Sequence, residues 1–162
     1  MAEVDAKAGT YDGPPQGYHP AKVDEKGRLK LPVKFSEYLK REGSTAFITT
    51  LDEAEARIYA MPLWLSEMAR FENLQGEDYD AFEGSNTLAQ YYGDTSDVDN
   101  QDRVLVPTNL RRKLKLEGTT VQVRWVRGHI KVLSETMMAV KMEAAQAKRE
   151  TNARTMDRLG MR

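Results

Sequence analysis

The chain has 162 residues, 24 Lys plus Arg against 25 Asp plus Glu, two histidines and no cysteine. That length allows one ordinary domain or two small ones. The missing cysteines exclude disulfides, thiolate-bound zinc, iron–sulfur clusters and thiol nucleophiles, and His19 and His129 lie too far apart in sequence to suggest a histidine-rich metal site. No stretch approaches the length of a membrane-spanning apolar helix. Residues 1–17 lack a basic start followed by an apolar run, so they read as a flexible leader rather than a secretory signal.

In chain order, a short strand is expected to end near Asp24. A tight turn follows, where Gly27 supplies positive φ. Residues 28–31, RLKL, are β-prone. Pro32 ends that strand and suits the first turn of a helix whose apolar edge is Phe35 and Leu39. Gly43 fits the C′ position, and strands are expected at 45–51 and 56–61. Pro62 opens a helical segment with Leu63, Trp64, Met68 and Phe71, and a second helix runs through Leu88 and Tyr91–Tyr92. Residues 71–102 carry nine acidic residues and no basic one, which leaves 24 − 16 = +8 on the rest of the chain. Within that stretch Glu77, Asp78, Asp80 and Glu83 match no metal-ligand spacing and read as a solvated acidic linker.

The second half repeats this order. Asp99 precedes a turn, residues 103–106, RVLV, are β-prone, and Pro107 leads into a helix with Leu110 and Leu114 on one edge. Gly118 takes the C′ role, and strands are expected at 119–126 and 129–133 across an Arg127–Gly128 turn. His129, beside that turn, is expected to be exposed. Ser134 caps a final helix with Met137, Val140 and Ala144 on its apolar face. Beyond about Ala147 that face fades, so the last turns are expected to fray or to pack on a neighbouring chain. Trp64 and Trp125 read as core or subunit-interface residues. Trp64, Met68 and Phe71 also read as exposed apolar residues in need of partners, hence a multimer.

The two halves are copies. VDEKGRLKLP at 23–32 matches VDNQDRVLVP at 98–107, and positions 23–45 share nine identities with 98–120 at an offset of 75. Chance gives about one or two. Beyond residue 52 the offset becomes 72, with Arg57–Ile58 matching His129–Ile130, so the first copy carries the longer loop. Each copy reads as ββαββ, and two copies predict a pseudo-twofold pair rather than a solenoid.

These segments resemble the two Asp-x-x-x-Arg loops of the MraZ family, built from tandem SpoVT–AbrB half-domains. ARIYAMPLWLSEM at 56–68 resembles that family's strand-to-helix join, and VDNQDRVLVPTNLRRKL resembles AbrB itself. The resemblance covers roughly residues 18–136. It implies an α+β, mainly β fold: a swapped-hairpin (double-split) β-barrel with linking helices and a C-terminal helix. The division expected is leader 1–17, half-domain 18–65, acidic helical connector 66–92, half-domain 93–136, and C-terminal helix and tail 137–162. It also implies a cytoplasmic, nucleoid-associated transcriptional regulator. Its target would be the promoter of the division and cell-wall gene cluster, at short G-rich direct repeats. Its partners would be double-stranded DNA and further copies of itself in a ring, with no cofactor, membrane or small-molecule ligand.

Charge separates the two loops. Residues 22–30 hold Lys22, Lys26, Arg28 and Lys30 against Asp24 and Glu25, whereas 97–105 hold only Arg103 against Asp97, Asp99 and Asp102. Phosphate neutralisation dominates DNA affinity, so the first loop is the expected contact surface. Arg28 would read a guanine edge and the lysines would hold phosphates. Asp24, Asp99 and Arg103 are expected chiefly to brace their turns. Asp102 is expected to set a carboxylate beside Arg103 and to weaken that loop for DNA. Arg103, Arg111 and Arg112 are secondary DNA candidates, the last two on a helix whose default reading is a solvated basic face. An antitoxin-like interaction module is the alternative. An enzyme is disfavoured: there is no thiol, histidine pair, phosphate loop or nucleophile elbow.

Overall fold

The structure, a computed structural model, describes residues 11–162. Residues 1–10 of the expected leader lie outside it. Residues 11–17 pack on the body: Pro15 is buried and Arg41 Nη1 donates to the Asp12 carbonyl at 2.8 Å.

The first copy comprises β1 (His19–Val23), β2 (Arg28–Lys30), α1 (Val33–Glu42), β3 (Thr45–Thr49) and β4 (Ala56–Ala60). Two helices follow, α2 (Met61–Phe71) and α3 (Gly76–Tyr92). The second copy is β5 (Asp94–Asp97), β6 (Arg103–Leu105), α4 (Thr108–Lys113), β7 (Thr120–Val126) and β8 (His129–Ser134). The chain then continues through α5 (Glu135–Ala147) and α6 (Arg149–Arg158).

All eight strands form one antiparallel sheet, in the order β5-β3-β4-β8-β7-β1-β2-β6. Leu105 N–H donates to Ser96 Oγ at 2.8 Å, drawing the β6 and β5 edges together into a nearly closed barrel. The halves are interleaved. The first strand of each copy pairs with the third strand of the other, β1 with β7 and β5 with β3. Leu29 pairs with Val104, its counterpart at an offset of 75, and Ile58 pairs with Ile130, its counterpart at 72. A pseudo-twofold axis therefore runs through these two pairs.

The barrel interior is filled from both copies. Leu29, Phe35, Leu39, Ile48 and Ile58 meet Val104, Leu110, Leu116, Val123 and Ile130 in one buried cluster. Phe35 is fully buried, and its truncation to Ala would cost about 3–5 kcal/mol. A second cluster joins the outer face of β3 and β4 to α2 and α3. There Trp64 stacks on Phe47 (ring centroids 4.5 Å) and packs on Tyr59 (5.1 Å). Trp64 is thus satisfied within its own chain and does not need the subunit partner expected for it. Trp125 meets Tyr38 edge-on at 4.8 Å.

Local chemistry corrects four expectations. Pro32 and Pro107 are N-caps, not first-turn residues, because each is extended (ψ 144° and 145°). The helix after Pro107 ends in left-handed Lys115 (φ 56°). Leu116 N–H bonds to the Arg111 carbonyl and Lys115 N–H to that of Arg112, so Lys115 is the C′ residue and Gly118 belongs to the next turn. His129 is buried, because α2 lies over the hairpin end and Tyr59 stacks on the imidazole at 4.6 Å. Ser134 does cap α5, accepting from Met137 N–H at 3.1 Å, but only the start of the expected apolar face packs: Met137 is half-buried, whereas Val140 is 56% exposed and Ala144 is exposed too.

Candidate nucleic-acid interface

The two Asp-x-x-x-Arg segments build the same turn twice. Asp24 N–H donates to the Arg28 carbonyl and Gly27 N–H to the Asp24 carbonyl. One carboxylate oxygen of Asp24 accepts from the Lys26 and Arg28 backbone N–H groups at 2.9 and 2.8 Å, and the other from Arg28 Nε at 2.7 Å. Asp99 repeats every contact: Gln101 N–H at 2.8 Å, Arg103 N–H at 2.9 Å and Arg103 Nε at 2.9 Å. In each turn the arginine backbone N–H, then its side chain, hold the aspartate carboxyl below the usual range. The spacing is thereby explained: one carboxylate satisfies the turn's donors and fixes the arginine by a single Nε–H. Among the described residues neither guanidinium has another polar partner, so the terminal amino groups are free, with side chains 40% and 29% exposed.

The turns lie on one surface. Lys22 sits opposite Lys30, and Lys30 opposite Arg103, so three cations stand side by side across β1, β2 and β6. Arg28 joins them around a concavity of about 360 Å³, with Asp24, Glu25 and Thr119 also in its wall. Lys26 is exposed at the turn tip. Arg103, expected to belong to a separate and net-negative loop, is part of the first loop's surface. Nor does Asp102 lie against Arg103. Its carboxylate turns to α1, accepting from Ser36 Oγ at 2.7 Å and Lys40 Nζ at 3.2 Å. Those two partners, the Ser36 hydroxyl foremost, lower its pKa.

The two α4 arginines part company. Arg111 turns inward: Nε bonds to Glu117 at 2.8 Å, Nη1 to the Val106 carbonyl at 2.9 Å, and its side chain lies over Gly27. Arg112 is exposed on α4 and does not line the concavity. The row was only partly readable from local sequence: Lys22 and Lys30 face each other across the first hairpin, but Arg103 joins them only through the crossing of the copies. The signal present was the repeat: counterparts 75 apart must meet where a twofold passes.

No protein-family model matches the chain. Curated proteins do. The chain is 33% identical over 132 residues to the transcriptional regulator MraZ of Acidobacterium capsulatum, spanning 79% of this chain and 87% of that one. It is 32% identical over 105 residues to the MraZ regulator of Koribacter versatilis (64% and 71%). It is 30% identical over 108 residues to that of Neisseria gonorrhoeae (66% and 72%). The chain belongs to the MraZ family. Its MraZ relatives are named as transcriptional regulators, and the barrel fold expected from the resemblance is the one observed. Among the described residues of this MraZ-family chain no helix is long and apolar enough to cross a membrane, and no group of three or more His, Asp or Glu is placed to hold a metal.

Proposed function

We propose that this MraZ-family protein grips double-stranded DNA with the cationic face of β1, β2 and β6. The observation that carries the reading is the Lys22–Lys30–Arg103 row with Arg28 beside it. Like charges directly opposite across a sheet destabilise it, and a polyanion on that face removes the penalty. Lys22, Lys26 and Lys30 neutralise phosphates, while Arg28 and Arg103 offer their free amino groups to guanine edges. Arg112 adds a phosphate contact from α4. Arg111 serves the fold instead, since its Nε and Nη1 bind Glu117 and the Val106 carbonyl and its side chain lies over Gly27.

The targets are short G-rich direct repeats at the protein's own promoter and the division and cell-wall gene cluster. Several subunits of an oligomer each engage one repeat, so effective concentration turns one weak contact per subunit into tight binding. This also explains how a chain of net charge −1 holds DNA: the α3 carboxylates Glu77, Asp78, Asp80 and Glu83 do not line the cationic concavity, and Asp99 is neutralised by its own Arg103.

The test is a set of anisotropy titrations at two salt concentrations, run beside melting curves. Arg28→Ala should lose specific binding, at about 1–3 kcal/mol per engaged subunit, and lower the melting temperature about as much as Arg103→Ala, since it braces Asp24 in the same way. Lys26→Ala should weaken all sequences alike and reduce the salt slope by about 1. Arg103→Ala should lower both the melting temperature and DNA affinity, because it braces Asp99 and completes the row. Unchanged binding by Arg28→Ala and Arg103→Ala would place the DNA surface elsewhere.

A further inference from the structure

We infer that the C-terminal segment of one copy seats in the groove between α2 and α3 of another, an inference that rests on the oligomer reading above and names its interface. The groove holds about 610 Å³ and is lined by Trp64, Phe71, Leu74 and Phe82, with Glu67 and Asp78 in its wall balanced by Arg57 and Arg127. No residue of α5 or α6 lines it. This chain's own tail therefore leaves it open.

The tail is built as a knob. Past α6, Met161 N–H bonds to the Met156 carbonyl and Gly160 N–H to that of Asp157, with Gly160 at φ +92°. This is the helix-ending pattern that turns the chain back on its last turn. Met156, Leu159 and Met161 are gathered at one tip, yet they are 42%, 66% and 63% exposed, and no α6 residue is buried. An ordered apolar tip that none of the described residues covers calls for a partner surface.

Charge on the α3 flank fits the tail to that surface. Residues 148–162 carry five cations (Lys148, Arg149, Arg154, Arg158, Arg162) against Glu150 and Asp157, a net of +3. Beside the groove α3 carries Glu77, Asp78, Asp80 and Glu83, all exposed. A basic stem with an apolar tip fits an apolar groove with an acidic flank. Knob and groove lie at different places on the molecule, so the contact is heterologous and continues from copy to copy, either closing into a ring or running on as a filament.

The test mixes two single variants of the full chain. Leu159→Asp spoils the knob, and Leu74→Arg spoils the groove with a cation facing the basic stem. Wild type should sediment as a multimer and each variant as a monomer of 18.4 kDa. An equimolar mixture should give dimers and nothing larger, because only one intact knob meets one intact groove. A synthetic peptide of residues 148–162 should also bind the Leu159→Asp protein and dissociate the wild-type multimer, an arm that does not depend on how Leu74→Arg folds. If both variants keep the wild-type mass, the oligomer reading stands and this interface is overturned. A mixture that stays monomeric while wild type is multimeric overturns it, because an intact knob and an intact groove then do not bind each other. A monomeric wild type overturns the oligomer reading and this interface together.

Discussion

Gly27 and Asp102 hold the same place in the two turns, and the helix residues facing them differ in compensation. Gly27 has φ +88°, and a Cβ there would fall 2.4 Å from Arg111 Cδ. In the other copy Asp102, at φ 61°, faces the small Ser36 and bonds to its hydroxyl. Ser36 and Arg111 are themselves counterparts, 75 apart. A side chain on the loop is thus matched by a small residue on the helix, and a bare loop by a long one. Gly27→Ala should therefore destabilise by about 2–3 kcal/mol, from left-handed strain of about 1–2 kcal/mol plus displacement of Arg111. Arg111→Ser, added to it, should recover the steric part. A double-mutant cycle by chemical denaturation reads that coupling, and strictly additive losses would refute it. His129 gives a second expectation. Burial first, then Arg57 and Lys131, push its pKa down to about 4 from 6.5. The unfolded chain then binds more protons than the folded one between those values. Stability falls as pH drops through that window, at a slope of at most ~1.4 kcal/mol per pH unit. Asp24 and Asp99, whose carboxyls are held low, add their losses only below the ordinary carboxylate range. His129→Gln should flatten the upper part of the window in denaturation curves taken pH by pH.

The strands and helices were largely legible because their signals are local. The apolar edge of Phe35 and Leu39, the Arg127–Gly128 turn with both residues at positive φ, and the Ser134 cap are written within a few positions of where they act. The pairing of β1 with β7 and the burial of His129 were not, since each depends on a segment distant in sequence. The same holds for Glu55. Its neighbour in sequence, Arg57, comes no closer than 4.0 Å to a carboxylate that is 3% exposed, but Lys131 reaches it at 2.9 Å and Lys141 at 3.3 Å. Lys131 lies on β8 and Lys141 on α5, so this one carboxylate pins the C-terminal helix to the sheet. That tie makes up for the part of its apolar face that α5 leaves exposed. Glu55→Ala should cost about 2–3 kcal/mol, less than a fully buried pair because Lys141 is itself half exposed. Hydrogen exchange should then speed along Glu135–Ala147 while the strands stay protected. Uniform loss of protection would show that Glu55 supports the barrel as a whole.

Interleaving makes the two copies one folding unit. Within its own half β1 has only β2, through Lys22↔Lys30 and Val23↔Leu29, whereas β7 of the other half pairs with it from His19 to Lys22. The third strand, β3, likewise gains β5 from the other copy along Thr45–Ile48. A half cut free loses these ladders and opens the shared cluster in which Leu29, Phe35 and Ile58 meet Val104, Leu110 and Ile130. So small a sheet with one face stripped is marginal in water. Residues 18–66 expressed alone should accordingly be unfolded or aggregate. If they order at all, they should do so as a pair, since a second copy can imitate the missing half about the same axis. The full chain supplies a sharper measurement, because Trp64 sits in the cluster on the outer face of the first half and Trp125 where β7 meets Tyr38 of the other copy. Trp64→Phe and Trp125→Phe each leave one reporter. Their fluorescence melts, each compared with the backbone signal of the same variant, should coincide in a single transition. A stable monomeric half, or a Trp64 reporter that melts apart from the backbone of its own protein, would mean that the halves stand independently and that the crossed strands add little to either.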